Sequence, residues 1–185
     1  MARFDLPNAA PEPLRLVQLF VNTASVVEHQ VEWLPAPAAL ETWLAEHDPQ
    51  AVGKPSQDDL ERALALREAL RALLRHDNTG EETTAAARVV NEAAARAGLI
   101  LALDETGELR LDVRGAGVGG ALGRIVAVAY GAMLDGSWTR LKVCRKCCWA
   151  FYDPSKNRSG TWCSMQICGN RAKTRAYRQR RAGAK

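Results

Sequence analysis

The sequence predicts an α+β fold, mainly α, with a helical N-terminal domain over residues 1–137 and a small cysteine-rich unit over residues 138–185. Three observations carry this expectation. Apolar residues recur at helical spacing through most of the first 135 positions. One stretch, LILALDETGELRLDV, alternates around a turn instead and reads as a β-hairpin. All five cysteines fall between positions 144 and 168.

Residues 1–13 are an irregular lead-in with three prolines. From Leu14 the spacing of Leu16, Leu19 and Phe20 predicts a helix to about Ser25, and its nearly continuous apolar content implies burial on more than one side. After Pro35 and Pro37, AALETWLAEH reads as a short helix with Leu40, Trp43 and Leu44 on one face. The clearest helix spans residues 55–76. Pro55 and Ser56 open it, Asp58, Asp59 and Glu61 load its first turn, and Arg71, Arg75 and His76 load its last. Leu60, Leu64, Leu66, Leu70, Leu73 and Leu74 give it a wide apolar face. NTGEE then breaks the chain, and an Ala-rich helix follows over about 82–97, with Gly98 as its stop. In the hairpin, Leu109, Leu111 and Val113 share one side. A glycine-rich loop and a helix over about 120–135 close the domain near DGSW.

Gly115, Gly117 and Gly120 spell G-x-G-x-x-G, a pattern whose backbone amides can cradle a pyrophosphate at a helix N-terminus. A dinucleotide site also needs a second parallel strand before its ribose-binding acid, and the segment up to Asp135 leaves no room for one. The glycines are therefore read as a connector.

With 185 residues, 47% hydrophobic and 25% charged, the composition is that of a soluble globular protein rather than a disordered chain. The net charge of +4 hides a strong asymmetry. Residues 140–185 hold thirteen Lys/Arg and one acid, Asp153, giving +12; the other 12 basic and 20 acidic residues give −8. Opposite signs in body and end point to a partner rather than to a fold. LRLVQLFV is interrupted by Arg15 and Gln18, and IVAVAYGAML has about half the residues a bilayer requires. A cytoplasmic protein with no membrane partner is expected. Thiols stay reduced there, so clustered cysteines hold a metal or do redox work rather than form disulfides.

The cysteine-rich unit has no histidine; His29, His47 and His76 lie far upstream. A closed metal site would use four thiolates, a set that zinc favours in tetrahedral geometry. Cys144-x2-Cys147 lets a tight turn aim two thiolates at one ion, and Cys163-x4-Cys168 supplies the other pair. Cys148 could replace Cys147, but C-x3-C is the less common reach and Cys147 is favoured. Four protein ligands leave no place for water, so one structural Zn2+ is expected. WAFYD alternates in β-rich residues, PSKNRSG is a turn-prone tip, and TWCS can return as the second strand. Knuckle, hairpin and then helix is the order of a treble-clef finger. A redox C-x-x-C is the rival reading, but it lacks a βαβ setting and leaves Cys163 and Cys168 without a role.

QICGNRAKTRAYRQRR contains strong helix formers and no proline, which predicts a C-terminal helix. Arg171, Arg175 and Arg178 share one face of it, with Asn170, Thr174, Tyr177 and Arg181 on the neighbouring one. Like charges at that spacing repel one another, so their presence points to nucleic acid. Candidate contacts are Arg145 and Lys146 in the knuckle, Lys156 and Arg158 at the hairpin tip, and Asn170, Arg171, Lys173, Arg175, Arg178 and Arg181 on the helix. These residue types alone do not separate DNA from RNA. Trp149, Phe151, Tyr152 and Trp162 are expected to form the unit's own small core rather than a base-stacking surface.

CRKCCWAFYDPSKNRSGTWCSMQICGNRAKTRAYRQRR resembles the CGNR zinc finger, whose name repeats Cys168, Gly169, Asn170 and Arg171. LVQLFVNT and LGRIVAVAYGAMLDGSWTRLKVC resemble the ABATE domain that commonly precedes it. The resemblance spans nearly the whole chain. It implies a stress-linked bacterial transcription regulator with a treble-clef-like finger, DNA favoured over RNA, and Cys144, Cys147, Cys163 and Cys168 as zinc ligands. Two positions depart from the pattern: Cys148 stands where the family often has a basic residue, and Thr161 where it commonly has arginine.

Asn22 and Thr23 match the family's NT and are read as partners of nearby backbone. The N-terminal domain is expected to sense a small-molecule effector or to mediate assembly. No Ser/His/Asp set, supported carboxylate pair or catalytic metal motif is present, so no enzyme is expected. The alternatives are an RNA-binding protein or a thiol/zinc redox-responsive switch, the latter suggested by the spare Cys148.

Overall fold

The computed structural model describes residues 8–25, 31–51, 53–79, 82–170 and 174. Its elements are α1 (Arg15–Val21), β1 (Ala24–Ser25), β2 (Val31–Glu32), α2 (Pro37–His47), α3 (Gln57–Thr79), α4 (Thr84–Arg96), β3 (Leu99–Leu103), β4 (Leu109–Val113), α5 (Gly117–Asp135), β5 (Leu141–Val143) and β6 (Ala150–Tyr152). The expected α+β class, mainly α, holds. Its described strands pair as three antiparallel hairpins, β1 with β2, β3 with β4 and β5 with β6.

The N-terminus of α3 is fixed by its own sequence. Asp59 N–H donates to Ser56 Oγ at 3.1 Å while Ser56 N–H donates to Asp59 Oδ2 at 2.9 Å, a reciprocal cap. Leu60, Leu66, Leu70 and Leu74 are buried on its inner face, where α1, α2, α4 and α5 pack. α4 ends before Gly98, whose φ of +60° lies in the left-handed region that glycine enters without strain.

Two helices depart from the sequence reading. α1 stops at Val21 rather than near Ser25. Thr23 Oγ1 turns back to the Phe20 carbonyl at 2.8 Å, and the Thr23 carbonyl accepts from Trp33 N–H at 3.0 Å, so the chain enters β1 instead. α5 begins at Gly117, inside the supposed connector. A Cβ on Gly115 would lie 2.9 Å from the Ala97 carbonyl oxygen, and one on Gly123 would overlap the Ala97 side chain. These glycines let α5 approach the end of α4. The antiparallel β3–β4 pair also removes the parallel strand that a dinucleotide fold requires.

The sequence reading counted only the central apolar run of α5. The whole 19-residue helix is long and apolar enough to cross a membrane. Here Val118, Leu122, Ile125, Val126 and Ala129 are buried in the protein core. That core extends through Trp138, Leu141, Val143 and Ala150, so the β5–β6 hairpin completes it.

Candidate metal centre and its seat on the helical body

The hairpin register places Leu141 opposite Tyr152, Lys142 opposite Phe151 and Val143 opposite Ala150. Alternation along each strand then sends two sets of side chains to opposite faces. Leu141, Val143, Ala150 and Tyr152 pack on the helical body, whereas Phe151 faces a second cluster with the cysteines. This corrects the expected hairpin. WAFYD pairs with β5 upstream, not with TWCS, because Leu141 and Val143 give it an apolar partner above the body's core. Residues 161–164 run past the knuckle without a ladder, touching it through Arg145 N–H to the Thr161 carbonyl at 3.2 Å.

The knuckle closes on itself: Cys144 N–H donates to the Trp149 carbonyl at 2.8 Å, and Cys148 N–H to the Cys144 carbonyl at 3.0 Å. On the other side a π-turn, Met165–Gly169, presents Cys168. The Ser164 carbonyl accepts from both Cys168 N–H and Gly169 N–H at 3.0 Å, and Ser164 Oγ caps the turn by accepting from Ile167 N–H. A Cβ on Gly169 would lie 2.7 Å from Met165 Sδ and 3.3 Å from Trp162 Cδ1, which explains the glycine after Cys168.

Cys144, Cys147, Cys163 and Cys168 are all buried, with their sulfurs within 4.8 Å of one another. Cys147 and Cys163 sulfurs are 3.4 Å apart, and those of Cys163 and Cys168 are 3.7 Å apart. A tetrahedron with zinc–sulfur bonds of about 2.3 Å has edges of about 3.8 Å, whereas a disulfide bond is about 2.05 Å. The donor set and spacing therefore fit one tetrahedral ion. Protonation points the same way. Thiol hydrogen bonds from Cys147 and Cys163, helped by their backbone amides, hold Cys144 far below the ordinary thiol range. The hydrogen bond to Cys144, together with burial, pushes Cys147 up to about 12. Cys163 is raised by its bonds to Cys144 and Cys147, and Cys168 chiefly by burial. Four buried thiols this close cannot all ionise without a cation, and a divalent cation bound among them would displace their protons.

Cys148 stands apart. Its φ of +60° turns it from the cluster towards the body, where its carbonyl accepts from Arg71 Nη1 at 2.9 Å and its sulfur lies 4.0 Å from Arg75 Nη2. Cys147 is the member of the cluster.

Asn22 does something other than serve nearby backbone. Its Nδ2 donates to the Ala150 carbonyl at 2.9 Å, and Ala150 N–H donates to its Oδ1 at 2.8 Å. A side-chain amide thus replaces a neighbouring strand for β6. Gln18 Nε2 adds a bond to the same carbonyl at 3.2 Å, and Tyr152 N–H reaches the Asn8 carbonyl at 2.9 Å. Only Thr23, bonded to Phe20, follows the local reading. Two arginines of α3 are buried: Arg67, which sequence reading left without a role, and Arg71, expected in the last turn but lying well inside a helix that runs on to Thr79. Arg71 Nη2 holds the Val21 carbonyl at 2.5 Å, and Arg67 pairs in a bidentate fork with Glu32 at 2.7 Å. Their only signal was an i, i+4 spacing interleaved with Leu66, Leu70 and Leu74.

Asp153, the one acid of residues 140–185, organises the loop after β6. It accepts from Lys142 Nζ at 3.0 Å, Ser155 N–H at 3.0 Å and Gly160 N–H at 2.6 Å. Burial alone would raise its pKa, but the bonds from Ser155, Lys142 and Gly160 hold the carboxyl well below the usual range. Lys142 Nζ also donates to the carbonyls of Arg158 and Gly160.

Arg145, Lys156, Arg158 and Asn170 are exposed, and Lys146 is half-buried. Arg158 Nη1 donates to Thr139 Oγ1 at 2.8 Å. Arg171, Lys173, Arg175, Arg178 and Arg181 lie outside the described residues. Phe151 is buried with the cysteines, and Trp149 and Trp162 flank it. Tyr152, expected in that small core, packs on the body instead.

A buried four-cysteine centre between a knuckle and a CGNR turn, seated on a helical domain, defines a zinc-finger protein. The family model described as "Putative stress-induced transcription regulator", ABATE, matches residues 14–136, and the CGNR zinc finger matches residues 140–181. The chain belongs to the ABATE family, with a CGNR zinc finger following the family domain. No curated protein matches the chain.

Proposed function

We propose that this protein is a zinc-stabilised, DNA-binding transcription regulator of the cytoplasm, in which Cys144, Cys147, Cys163 and Cys168 hold one structural Zn2+. The observation that carries this reading is the four-cysteine centre at the root of a +12 segment, in a chain whose remainder is −8. Bound zinc supplies a cross-link that fixes the knuckle against the π-turn. Arg145, Lys146, Lys156, Arg158, Arg171, Lys173, Arg175, Arg178 and Arg181 would neutralise phosphates, and Asn170 with the nearest arginines would reach base edges. Four thiolates leave no open coordination position, so the role is binding and not catalysis.

In this reading residues 138–185 bind and residues 1–137 sense or assemble. A cleft of about 440 Å³ between α3, α4 and the start of α5, lined by Leu66, Val89, Leu122, Arg62 and Arg96, would have room for a small effector. The test is fluorescence anisotropy of the zinc-loaded protein with duplex DNA and with single-stranded RNA across a salt series, beside a zinc-stripped sample. Duplex binding that needs zinc, with log affinity falling against log salt at a slope of about −0.9 per phosphate contact, supports the proposal. Tighter binding to RNA, or equal binding without zinc, contradicts it.

A further inference from the structure

Among the described residues, the β3–β4 hairpin has an apolar face that is left partly uncovered. Its register sets Leu99, Leu101 and Leu103 opposite Val113, Leu111 and Leu109, so all six share one side. Leu101, Leu103 and Leu109 are 63%, 68% and 64% exposed, and Leu134 at the end of α5 is 75% exposed. A cleft of about 730 Å³ runs beside β4, lined by Leu101, Leu109, Leu111, Val128 and Leu134 among others. A contiguous apolar surface of this kind, on a hairpin whose β4 edge pairs with no other described strand, marks an interaction site.

The hydrogen-bond phase shows which β4 groups point outwards. Asp104 N–H donates to the Glu108 carbonyl and Arg114 N–H to the Gly98 carbonyl, so 108, 110, 112 and 114 turn their backbone groups towards β3. Leu109, Leu111 and Val113 therefore offer theirs to the open edge. That edge is self-complementary. In an antiparallel pairing of β4 with a second β4 about a two-fold axis at Leu111, Leu111 meets Leu111 and Leu109 meets Val113 in hydrogen-bonded pairs. Arg110 then falls opposite Asp112, twice, in the closer non-hydrogen-bonded positions. Within one chain the residues across the hairpin from Arg110 and Asp112 are Ala102 and Ile100, which carry no charge.

We infer that β4 is a dimerisation strand, joining two copies of this chain through a four-stranded sheet, β3–β4–β4–β3, about a two-fold axis at Leu111. The two-fold axis is normal to the sheet, so the apolar faces of the two copies meet side by side along Leu109, Leu111 and Val113 on the same side of the sheet. A closed two-fold contact also removes an edge that would otherwise invite open-ended association. This inference stands independently of nucleic-acid binding, because the hairpin belongs to the body and not to the finger.

Sedimentation equilibrium of the full zinc-loaded chain tests it. The wild type should be a concentration-dependent dimer. Arg110→Asp and Asp112→Arg each replace two attractions with two repulsions and should raise the dimer Kd about 30-fold. The double swap, Arg110→Asp with Asp112→Arg, should restore the dimer, which a merely misfolded single variant would not allow. Zinc removal should leave the association unchanged. A wild type that stays monomeric, and so leaves this face to another segment or partner, overturns the inference. So do single variants that dimerise like the wild type, or a double swap that fails to recover.

Discussion

The body and the finger are held by different physics. In the body, side chains from α1 to α5 bury one continuous apolar core around Phe20, Leu66, Leu70 and Ile125. The finger's own cluster has four cysteines and Phe151, with Trp149 and Trp162 at its margin. A unit of that size cannot bury enough apolar surface to offset chain entropy, so small domains recruit metals. This finger uses two supports. Zinc secures its outer half, and the body secures its inner hairpin through Leu141, Val143, Ala150 and the Asn22 clamp. Metal dependence should therefore stop partway through the finger.

The largest expected effect separates the two supports. Structural zinc sites contribute roughly 10–16 kcal/mol at neutral pH, so chelation should abolish hydrogen-exchange protection over residues 161–170. α3 should keep its protection, and β5–β6 should keep much of theirs. Simultaneous loss in α3 would mean that body and finger are a single cooperative unit.

Next comes the clamp. Asn22→Ala leaves the buried Ala150 N–H without its acceptor and should cost about 2 kcal/mol in urea denaturation of the zinc-loaded protein. An unchanged midpoint would show that β6 does not depend on the body.

The smallest effect lies in the body and has a defined sign. Burial pushes the Glu32 carboxyl up, but the Arg67 guanidinium and Leu34 N–H more than offset this and hold it below its ordinary value. Glu32 therefore adds stability above its unfolded pKa of about 4.3, and that contribution fades as pH falls through the lower folded value. Glu32→Gln should cost up to about 1 kcal/mol at pH 7 after solvent screening, with the gap to wild type closing below about pH 4. A gap that persists there would assign the loss to shape and not to charge. The finger has a sensitivity of the same sign at higher pH: its thiolates take up protons and release metal in milder acid.

Sequence legibility follows the same division. α3, α4 and the β3–β4 hairpin were readable because caps, periodicity and turn residues act locally. The cysteine set was readable because metal-ligand spacing is itself local. The end of α1 was not, since Asn22 is drawn to Ala150, 128 positions away. Nor was the strand partner of β6, because the alternation of WAFYD does not say whether its neighbour lies upstream or downstream. Gly115 reads in sequence as part of a connector, but with Gly123 it serves helix packing against Ala97, a contact visible only in three dimensions.

The ligand set is the central claim, and native mass spectrometry of single cysteine variants tests it most directly. One zinc per chain should be present in the wild type and in Cys148→Ser, and should be lost or greatly weakened in Cys144→Ser, Cys147→Ser, Cys163→Ser and Cys168→Ser. Zinc loss in Cys148→Ser, or full retention in Cys147→Ser, would contradict the four-sulfur centre described above.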